Sequence, residues 1–287
     1  MEVTILGTGA PEGLPVLGCD CCTCSYASTH SIERTRFSVH VVNDRTGRAL
    51  LVDASPDIGR QLLDRDVSLP DAVLVTHMHF DHHAGLGELG TLGRSIPVHA
   101  AADNGRTGDP AIGAESIASA IRQRYGHARE FSIREHAALE PFDTCGFRVT
   151  LIPVRHGDLA CFGVRVEDTE TNSAVAISGD TDYAIDERSR EVFGDPDPFV
   201  AEASVPARVS ESVPSGRQPT LEFDGEHYDE AGGPRSVARG HMTREGALAL
   251  AADIGARRTR LVHASHFYPI AEAFREPLAT DGERHVL

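Results

Sequence analysis

Three histidines and an aspartate lie within six positions of the chain, from residue 77 to residue 82. They are His77, His79, Asp81 and His82. Imidazole nitrogens and carboxylate oxygens suit zinc, manganese or iron, so these side chains could bind a metal without identifying it. A single His-x-His is common by chance, and one histidine alone is more often a hydrogen-bonded core residue. Four donors in so short a run predict a metal site.

A second cluster consists of cysteines, because four of the six in the chain lie between residues 19 and 24. A disulfide, a redox-active thiol and a chance grouping are alternatives, but adjacent cysteines pair poorly and intracellular chains rarely keep disulfides. A structural zinc site takes four ligands. We predict such a site from Cys19, Cys21 and Cys24, with His266 as the fourth ligand and Cys22 left over.

An apolar run rich in β-branched residues precedes the histidine cluster and would position it. Residues 72–75 are read as a buried strand that delivers the histidines onto a loop at the edge of a sheet. The pattern His-x-His-x-Asp-His that follows resembles the signature of the metallo-β-lactamase superfamily. The resemblance implies an α/β fold, an αββα sandwich with two metal ions between its halves.

The same resemblance implies further ligands at the ends of later strands. His156 follows the apolar run 149–154, Asp180 follows 174–177, and His263 follows 259–262. By resemblance, one ion is bound by His77, His79 and His156, the other by Asp81, His82 and His263, and Asp180 bridges them. Two divalent ions, zinc or manganese, about 3.5 to 4 Å apart would make hydrolysis the expected chemistry. Asp81 is therefore also a candidate catalytic residue.

Motifs at the start of the chain resemble one particular family within this superfamily. Residues 6–15 read Leu-Gly-Thr-Gly-Ala-Pro-Glu-Gly-Leu-Pro, and the cysteine cluster and the pair His263-x-x-His266 follow. These motifs resemble the phosphoribosyl 1,2-cyclic phosphate phosphodiesterase family. The likeness implies hydrolysis of a small cyclic phosphate ester, two active-site metals and one structural zinc. His241 matches a family histidine that binds phosphate or protonates the leaving oxygen, and a solvated helix-capping histidine is the alternative.

Two other families share parts of this pattern. The segment 52–58 and the cysteine cluster also resemble the metallo-β-lactamase-like protein of pyrroloquinoline quinone biosynthesis, which would imply cofactor assembly or carriage. In that family the metal motif is typically degenerate, whereas it is complete here. Transfer-RNA 3′-processing nucleases share the metal motif but lack the cysteine cluster and use a basic arm, for which the sequence has no candidate. Hydrolysis of a thioester, a lactone or another ester stays an alternative.

The composition favours one domain with an acidic surface. The 287 residues, 40% of them hydrophobic, suffice for one large core, so residues 1–287 are expected to form a single domain. The formal net charge is −16, and all 27 basic residues are Arg. This composition predicts a protein of a salt-accumulating halophile, because dissolved ions screen carboxylate repulsion. It argues against binding long nucleic acids, which need a basic surface.

The expected setting is the cytoplasm, with a small phosphate ester as the partner. The first six residues run straight into a predicted strand without the features of a secretory leader. No run of 18 apolar residues predicts a membrane-spanning helix, so no membrane partner is expected. A homodimer is a possible assembly, because related folds often pair.

Periodicity and turn residues predict the order of the elements. Strands are predicted near residues 2–6, 37–42, 48–53, 72–75, 96–100, 129–134, 147–154, 161–166, 173–178, 199–203 and 258–262, and helices over 56–64, 111–124 and 243–254. Thr243 is a possible helix cap. Residues 204–240 are rich in Gly and Pro and are expected to form a loop or lid, from which Arg235 and Arg239 could bind a substrate phosphate. A solvated insertion is the alternative.

Overall fold

The computed structural model describes residues 1–102, 116–206 and 240–287. The predicted lid at 204–240 lies almost wholly outside these residues, as do Arg235, Arg239 and the first five residues of the helix predicted over 111–124. The described chain forms two β-sheets, and its helices pack against them.

The first sheet has seven strands. Numbered along the chain, they are β1 (Glu2–Gly7), β2 (Ser38–Asn43), β3 (Arg48–Val52), β4 (Ala72–Leu74), β5 (Ile96–Ala101), β6 (Phe131–His136) and β13 (Glu283–Val286). Their spatial order is β13-β1-β2-β3-β4-β5-β6. Strands β3 to β6 pair in parallel, and the remaining pairs are antiparallel. The segments that follow the parallel strands therefore leave the sheet at one edge.

The second sheet has six strands. They are β7 (Phe142–Thr144), β8 (Phe147–Pro153), β9 (Phe162–Asp168), β10 (Ser173–Ile177), β11 (Phe199–Glu202) and β12 (Thr259–Val262), in the spatial order β12-β11-β10-β9-β8-β7. Strands β10, β11 and β12 pair in parallel, whereas β7 to β10 form an antiparallel meander. The carboxyl ends of β10, β11 and β12 thus also meet at one edge.

Eight helices complete the described chain. They are α1 (Cys22–Thr29), α2 (Ile58–Asp64), α3 (Phe80–His83), α4 (Leu86–Leu89), α5 (Ile117–Tyr125), α6 (Glu187–Phe193), α7 (Arg244–Asp253) and α8 (Ile270–Ala273). Helices α2 and α5 pack on the first sheet, and α6 and α7 pack on the second. As predicted, Thr243 caps α7, because its hydroxyl oxygen accepts a hydrogen bond from the N–H of Gly246 at 3.0 Å. None of the described helices is long and apolar enough to cross a membrane.

The main core contains side chains of both sheets. Val41 and Leu50 of the first sheet and Val149 and Val164 of the second are fully buried members of one apolar cluster. Burying these faces against each other removes them from water, and this drives the two sheets together. A second apolar cluster joins the outer face of the second sheet to α6 and α7. The fold is the predicted αββα sandwich.

Two predicted boundaries near the site were wrong. The helix predicted from Pro56 begins at Ile58, because the N–H of Ile58 donates to the carbonyl of Ser55 at 3.1 Å and closes a turn first. The histidine cluster was expected wholly on a loop, but the chain enters helix α3 directly after His79. This short helix holds the second half of the cluster on a defined backbone.

Candidate metal centre

Seven predicted ligands meet where strands of the two sheets end. Strand β4 precedes His77 and His79, helix α3 carries Asp81 and His82, and β8, β10 and β12 precede His156, Asp180 and His263 respectively. All seven side chains are buried except His79, which is half-buried. The first sheet and α3 thus supply four donors, and the second sheet supplies three.

The first donor group consists of His77, His79 and His156. The Nε2 atom of His156 lies 3.0 Å from the Nδ1 atom of His79. The donor atoms of the three histidines and an oxygen of Asp180 all lie within 4.8 Å of one another. Two ligands that share one zinc ion at about 2.1 Å lie about 3 to 3.4 Å apart in a tetrahedral or octahedral arrangement. The distance between His79 and His156 therefore fits two ligands of a single ion.

The second donor group consists of Asp81, His82 and His263. The Oδ2 atom of Asp81 lies 3.2 Å from the Nε2 atom of His82 and 3.2 Å from the Nε2 atom of His263. These distances are again those of ligands around one ion. The group is fully enclosed, because each of its three residues is at most 2% exposed.

Asp180 lies between the two groups. Its Oδ2 atom is 3.6 Å from Nε2 of His77 and 3.9 Å from Nε2 of His156 on one side. On the other side it is 3.5 Å from the Nε2 atoms of both His82 and His263. One oxygen is therefore shared by both groups, as a bridging ligand requires.

Three buried atoms of this cluster have no hydrogen-bond partner among the described residues. They are Nε2 of His77, Nε2 of His82 and Oδ2 of Asp180. An unsatisfied buried polar atom typically costs about 1 to 3 kcal/mol, so three that face one space are explained best by bound cations. The residues present fit two divalent ions.

Asp53 orients the ligands of the first sheet. Its carboxylate accepts hydrogen bonds from the N–H and the hydroxyl of Thr76, at 2.8 and 2.7 Å, and from Nδ1 of His82 at 2.7 Å. Because the Thr76 hydroxyl donates to Asp53, its oxygen accepts from Nδ1 of His77 at 3.0 Å. Both histidines therefore carry their hydrogen on Nδ1, which leaves the Nε2 lone pair for a metal.

The ligands of the second sheet are oriented in the same way. Nδ1 of His156 donates to the carbonyl of Gly240 at 2.6 Å. Nδ1 of His263 donates to the hydroxyl oxygen of Ser204 at 2.7 Å, since that hydroxyl itself donates to Glu202 at 3.0 Å. The Nε2 atom of each histidine again faces the cluster.

Glu202 is a buried carboxylate that sequence reasoning missed. It is the last residue of β11 and accepts hydrogen bonds from the backbone N–H groups of Thr181, at 3.4 Å, and Met242. Its Oε1 atom lies 3.5 Å from Nδ1 of His241. A signal was present in the sequence, because Glu202 and Asp53 both stand at the end of an apolar run, as the predicted ligands do.

His241 lies beside the donor groups and forms a further set of possible donors with Asp180 and His263. Its ring stacks on His263 with a centroid distance of 5.5 Å and meets His156 edge-on at 4.7 Å. The side chain is 27% exposed, so it lies at the mouth of the cluster. Burial disfavours the charged imidazole, but the carboxylate of Glu202 outweighs this and raises the pKa of His241 to about 9.

The charges of the cluster suit a cation. Burial holds the pKa of His77 well below its ordinary value, so its imidazole is neutral. Burial opposes the charge of Asp180, but the imidazoles of His263 and His82 outweigh it and hold the pKa of this carboxyl well below its ordinary value. Burial also disfavours the charged forms of His82 and His263, but nearby carboxylates, Asp180 first, outweigh it and raise the pKa of both rings. Because a metal binds the neutral imidazole, an ion at the second donor group would displace a proton from each of these rings.

The predicted zinc ligands near the N-terminus also lie together. Nδ1 of His266 lies 3.4, 3.6 and 3.7 Å from the Sγ atoms of Cys19, Cys21 and Cys24. Sulfur and nitrogen ligands at about 2.3 and 2.1 Å from a tetrahedral zinc lie about 3.6 Å apart, so the four fit one structural ion. Helix α1 begins inside this cluster, because the thiol of Cys21 accepts from the N–H of Cys24 at 3.5 Å and caps the helix.

Comparison with known proteins places this architecture in a family. Residues 48–264 match the model of the β-lactamase superfamily domain. The chain is 30% identical over 177 residues to a protein of Porphyromonas gingivalis named octanoyltransferase. This match covers 58% of the chain and 33% of that protein. Over 166 residues the chain is 34% identical to coenzyme PQQ synthesis protein B of Methylobacterium nodulans, covering 54% of this chain and 52% of that protein. The chain thus matches from a third to about half of these relatives.

Two solved structures have the same fold. A diphosphatase from the PhnP family is 24% identical and superposes with a TM-score of 0.72, over 100% of this chain and 97% of that one. Zinc-bound PqqB from Methylobacterium extorquens is 22% identical, with a TM-score of 0.75 and full coverage of both chains. At these identities the likeness establishes the fold.

Proposed function

Because the chain belongs to the metallo-β-lactamase superfamily, we propose that it is a metal-dependent phosphodiesterase whose substrate is a small cyclic phosphate ester, such as 5-phosphoribosyl 1,2-cyclic phosphate. The observation that carries the proposal is the Asp180 oxygen between two complete donor groups, with His241 beside them. The likeness to a PhnP-family diphosphatase supports phosphate-ester chemistry.

Two divalent ions, zinc or manganese, would supply Lewis acidity and a water of lowered pKa. His77, His79 and His156 would hold one ion, Asp81, His82 and His263 the other, and Asp180 would lie between them. A third ion, zinc, would be held by the cysteine cluster and His266.

His241 would act on the substrate. Its Nδ1 atom faces Glu202, so its Nε2 atom is the one available to a bound phosphate or to the leaving oxygen. Glu202 stabilises the protonated ring and fixes its direction. A proton donated from Nε2 to the departing ribose oxygen would assist cleavage of the P–O bond.

The first test measures metal content and hydrolysis together. The purified chain is analysed for zinc and manganese and assayed with bis-p-nitrophenyl phosphate and with 5-phosphoribosyl 1,2-cyclic phosphate. We expect turnover of the cyclic ester that chelation abolishes and that the Asp180→Ala variant lacks, with the exposed His127→Ala variant as the control. Bound metal without turnover of either phosphodiester would overturn the proposal.

A second candidate is hydrolysis of an acyl thioester. Phe80 and Leu159 are 54% and 49% exposed, and they lie next to metal-ligand candidates. Phe80 follows His79, and the N–H of Leu159 donates to the carbonyl of His156 at 3.0 Å. These apolar side chains would suit an acyl chain, and one relative is named octanoyltransferase. Octanoyl thioester in the same assay panel tests this candidate directly.

A third candidate, assembly or carriage of a cofactor, follows from the likeness to PqqB. It predicts tight binding of a small molecule without turnover. The complete set of metal donors in this chain favours hydrolysis instead.

A further inference from the structure

One four-residue segment connects the two candidate metal sites. It runs from His263, a donor of the second group, through Ala264 and Ser265 to His266, the nitrogen donor of the cysteine cluster. Each of its residues is buried. In so short a segment, the position of one end constrains the position of the other.

The segment begins in an unfavourable backbone conformation. His263 has a φ of +58°, in the left-handed region that residues other than glycine and asparagine rarely adopt. The ring so placed reaches Ser204 with Nδ1, at 2.7 Å, and Asp81 with Nε2, at 3.2 Å. The geometry of this donor thus depends on a turn that the surrounding contacts must hold.

The two middle residues are fixed by hydrogen bonds on both sides. The N–H of Ala264 donates to the carbonyl of Thr8 at 2.9 Å, and its carbonyl accepts from the N–H of Ala10 at 3.2 Å. The hydroxyl of Ser265 donates to the carbonyl of Ser204 at 2.6 Å. Ser265 therefore fastens the segment to the residue that orients the His263 ring.

The far end is fixed by the cysteine cluster. Nδ1 of His266 lies among the three thiols of the cysteine cluster. The hydroxyl of Thr23 makes a second connection from this cluster to the segment after β12, because it donates to the carbonyl of Tyr268 at 2.8 Å. The hydroxyl of Tyr268 in turn donates to the carbonyl of Ala203 at 2.7 Å, next to Ser204. Both hydrogen-bonded connections thus end at residues 203 and 204, directly after β11.

We infer that the cysteine cluster is a clamp that positions His263, so that zinc bound by Cys19, Cys21, Cys24 and His266 strengthens metal binding by Asp81, His82 and His263. The first donor group, whose histidines lie on other segments, is not coupled in this way. By thermodynamic reciprocity, an ion in the second donor group also strengthens zinc binding in the cysteine cluster. The inference concerns metal affinity and does not depend on the substrate proposed above.

The test measures Zn²⁺ affinity of each active-site position by chelator competition on the full-length chain. The His79→Ala background weakens the first donor group and isolates the second, and the Asp81→Ala background does the reverse. Adding Cys19→Ala should lower the Zn²⁺ affinity of the second group about tenfold, which is within the usual range of coupling between sites. The Zn²⁺ affinity of the first group should stay unchanged. Zinc content should fall by one equivalent in the same variants.

Ser265→Ala tests the link without touching a thiol. This variant should keep zinc in the cysteine cluster yet have a lower Zn²⁺ affinity at the second group. If Cys19→Ala does not fold, this variant alone tests the inference. Cys22→Ala is the matched control and should change neither affinity. Equal weakening of both groups, or an unchanged second group after loss of the cysteine-cluster zinc or of the Ser265 hydroxyl, would overturn the inference.

Discussion

The Nε2 atom of His156 lies 3.0 Å from the Nδ1 atom of His79, although the two histidines follow strands of different sheets and are 77 positions apart in the sequence. Nδ1 of His156 donates to the carbonyl of Gly240, so the Nε2 lone pair of His156 faces His79. Without an ion, the contact is a hydrogen bond that Nδ1 of His79 donates to Nε2 of His156. A cation bound by the first donor group would instead use both nitrogens as ligands.

His156→Ala should remove one active-site metal. The variant loses a donor of the first group but none of the second, so we expect metal content to fall by about one equivalent and affinity to drop at least 10-fold, as for loss of metal-site residues. Elemental analysis after dialysis measures this. Arg155→Ala, at the preceding exposed position, is the control and should retain the metal.

His241→Ala should lower turnover and leave metal content intact. Loss of a proton donor typically costs about 10²- to 10⁴-fold in rate. His241 lies close to Asp180 and His263, but both groups of three donors stay complete without it, so the ions should remain bound. Steady-state kinetics beside elemental analysis separates the two effects. Equal activity in the variant would remove its proposed catalytic role.

Glu202→Gln should impair turnover more than stability. The amide keeps the size of the side chain but removes the charge that faces His241. It also replaces one of the two acceptor oxygens, either Oε2, which accepts from Ser204, or Oε1, which accepts from Met242. We expect kcat to fall at least about tenfold while the circular dichroism spectrum is unchanged. Glu167→Gln, at a more exposed position of β9, provides a charge-matched control. A variant as active as the parent would show that the carboxylate serves folding alone.

Cys21→Ala should cost more in stability than in catalysis. Loss of one thiolate empties a site that joins the N-terminal loop to the segment after β12, and metal binding there contributes to folding. We expect the apparent Tm to fall by roughly 5 to 10 °C, with a smaller loss of turnover at saturating metal. Unchanged zinc content and Tm would contradict a structural site.

Buried His99 should make the fold weaken in mild acid. Burial lowers its pKa from the ordinary 6.5 to about 4, so the unfolded chain takes up a proton that the folded chain refuses. Its contribution to stability is complete above pH 6.5 and is lost as the pH falls from 6.5 towards 4. Denaturant midpoints at pH 7, 6 and 5 measure this slope.

His99→Gln should flatten that slope, because the titrating group is removed from both states. Exposed His127→Gln is the control and should keep the slope of the parent. Parallel curves for the parent and His99→Gln would show that this histidine does not contribute to the pH dependence.

The candidate metal donors could be found in the sequence because each combines a distinctive side chain with a position near a strand end. His156, Asp180 and His263 are separated by long stretches of chain, yet each follows an apolar run, and the topology places those ends together. The same logic located most strands of both sheets to within two residues. Hydrophobic periodicity is sufficient to locate a strand where its side chains are buried along its whole length.

Other features depended on tertiary contacts that no local pattern encodes. Strand β13 is short and largely polar, and it forms because it pairs with β1 from the other end of the chain. The role of Glu202 arises from three segments that converge on one carboxylate, and sequence spacing does not reveal that convergence. Helix α1 depends on a cysteine cap within the cysteine cluster, where no helix was predicted.

The division of the donors between the two sheets has a mechanical consequence. His77, His79, Asp81 and His82 move with the first sheet, and His156, Asp180 and His263 move with the second. Separating the two sheets would therefore break both donor groups at once, so bound ions would cross-link the sheets across their hydrophobic interface. Removing the ions with a chelator should then allow the sheets to separate locally. We expect proteases to cleave the chelated chain while its circular dichroism spectrum is still that of the folded protein.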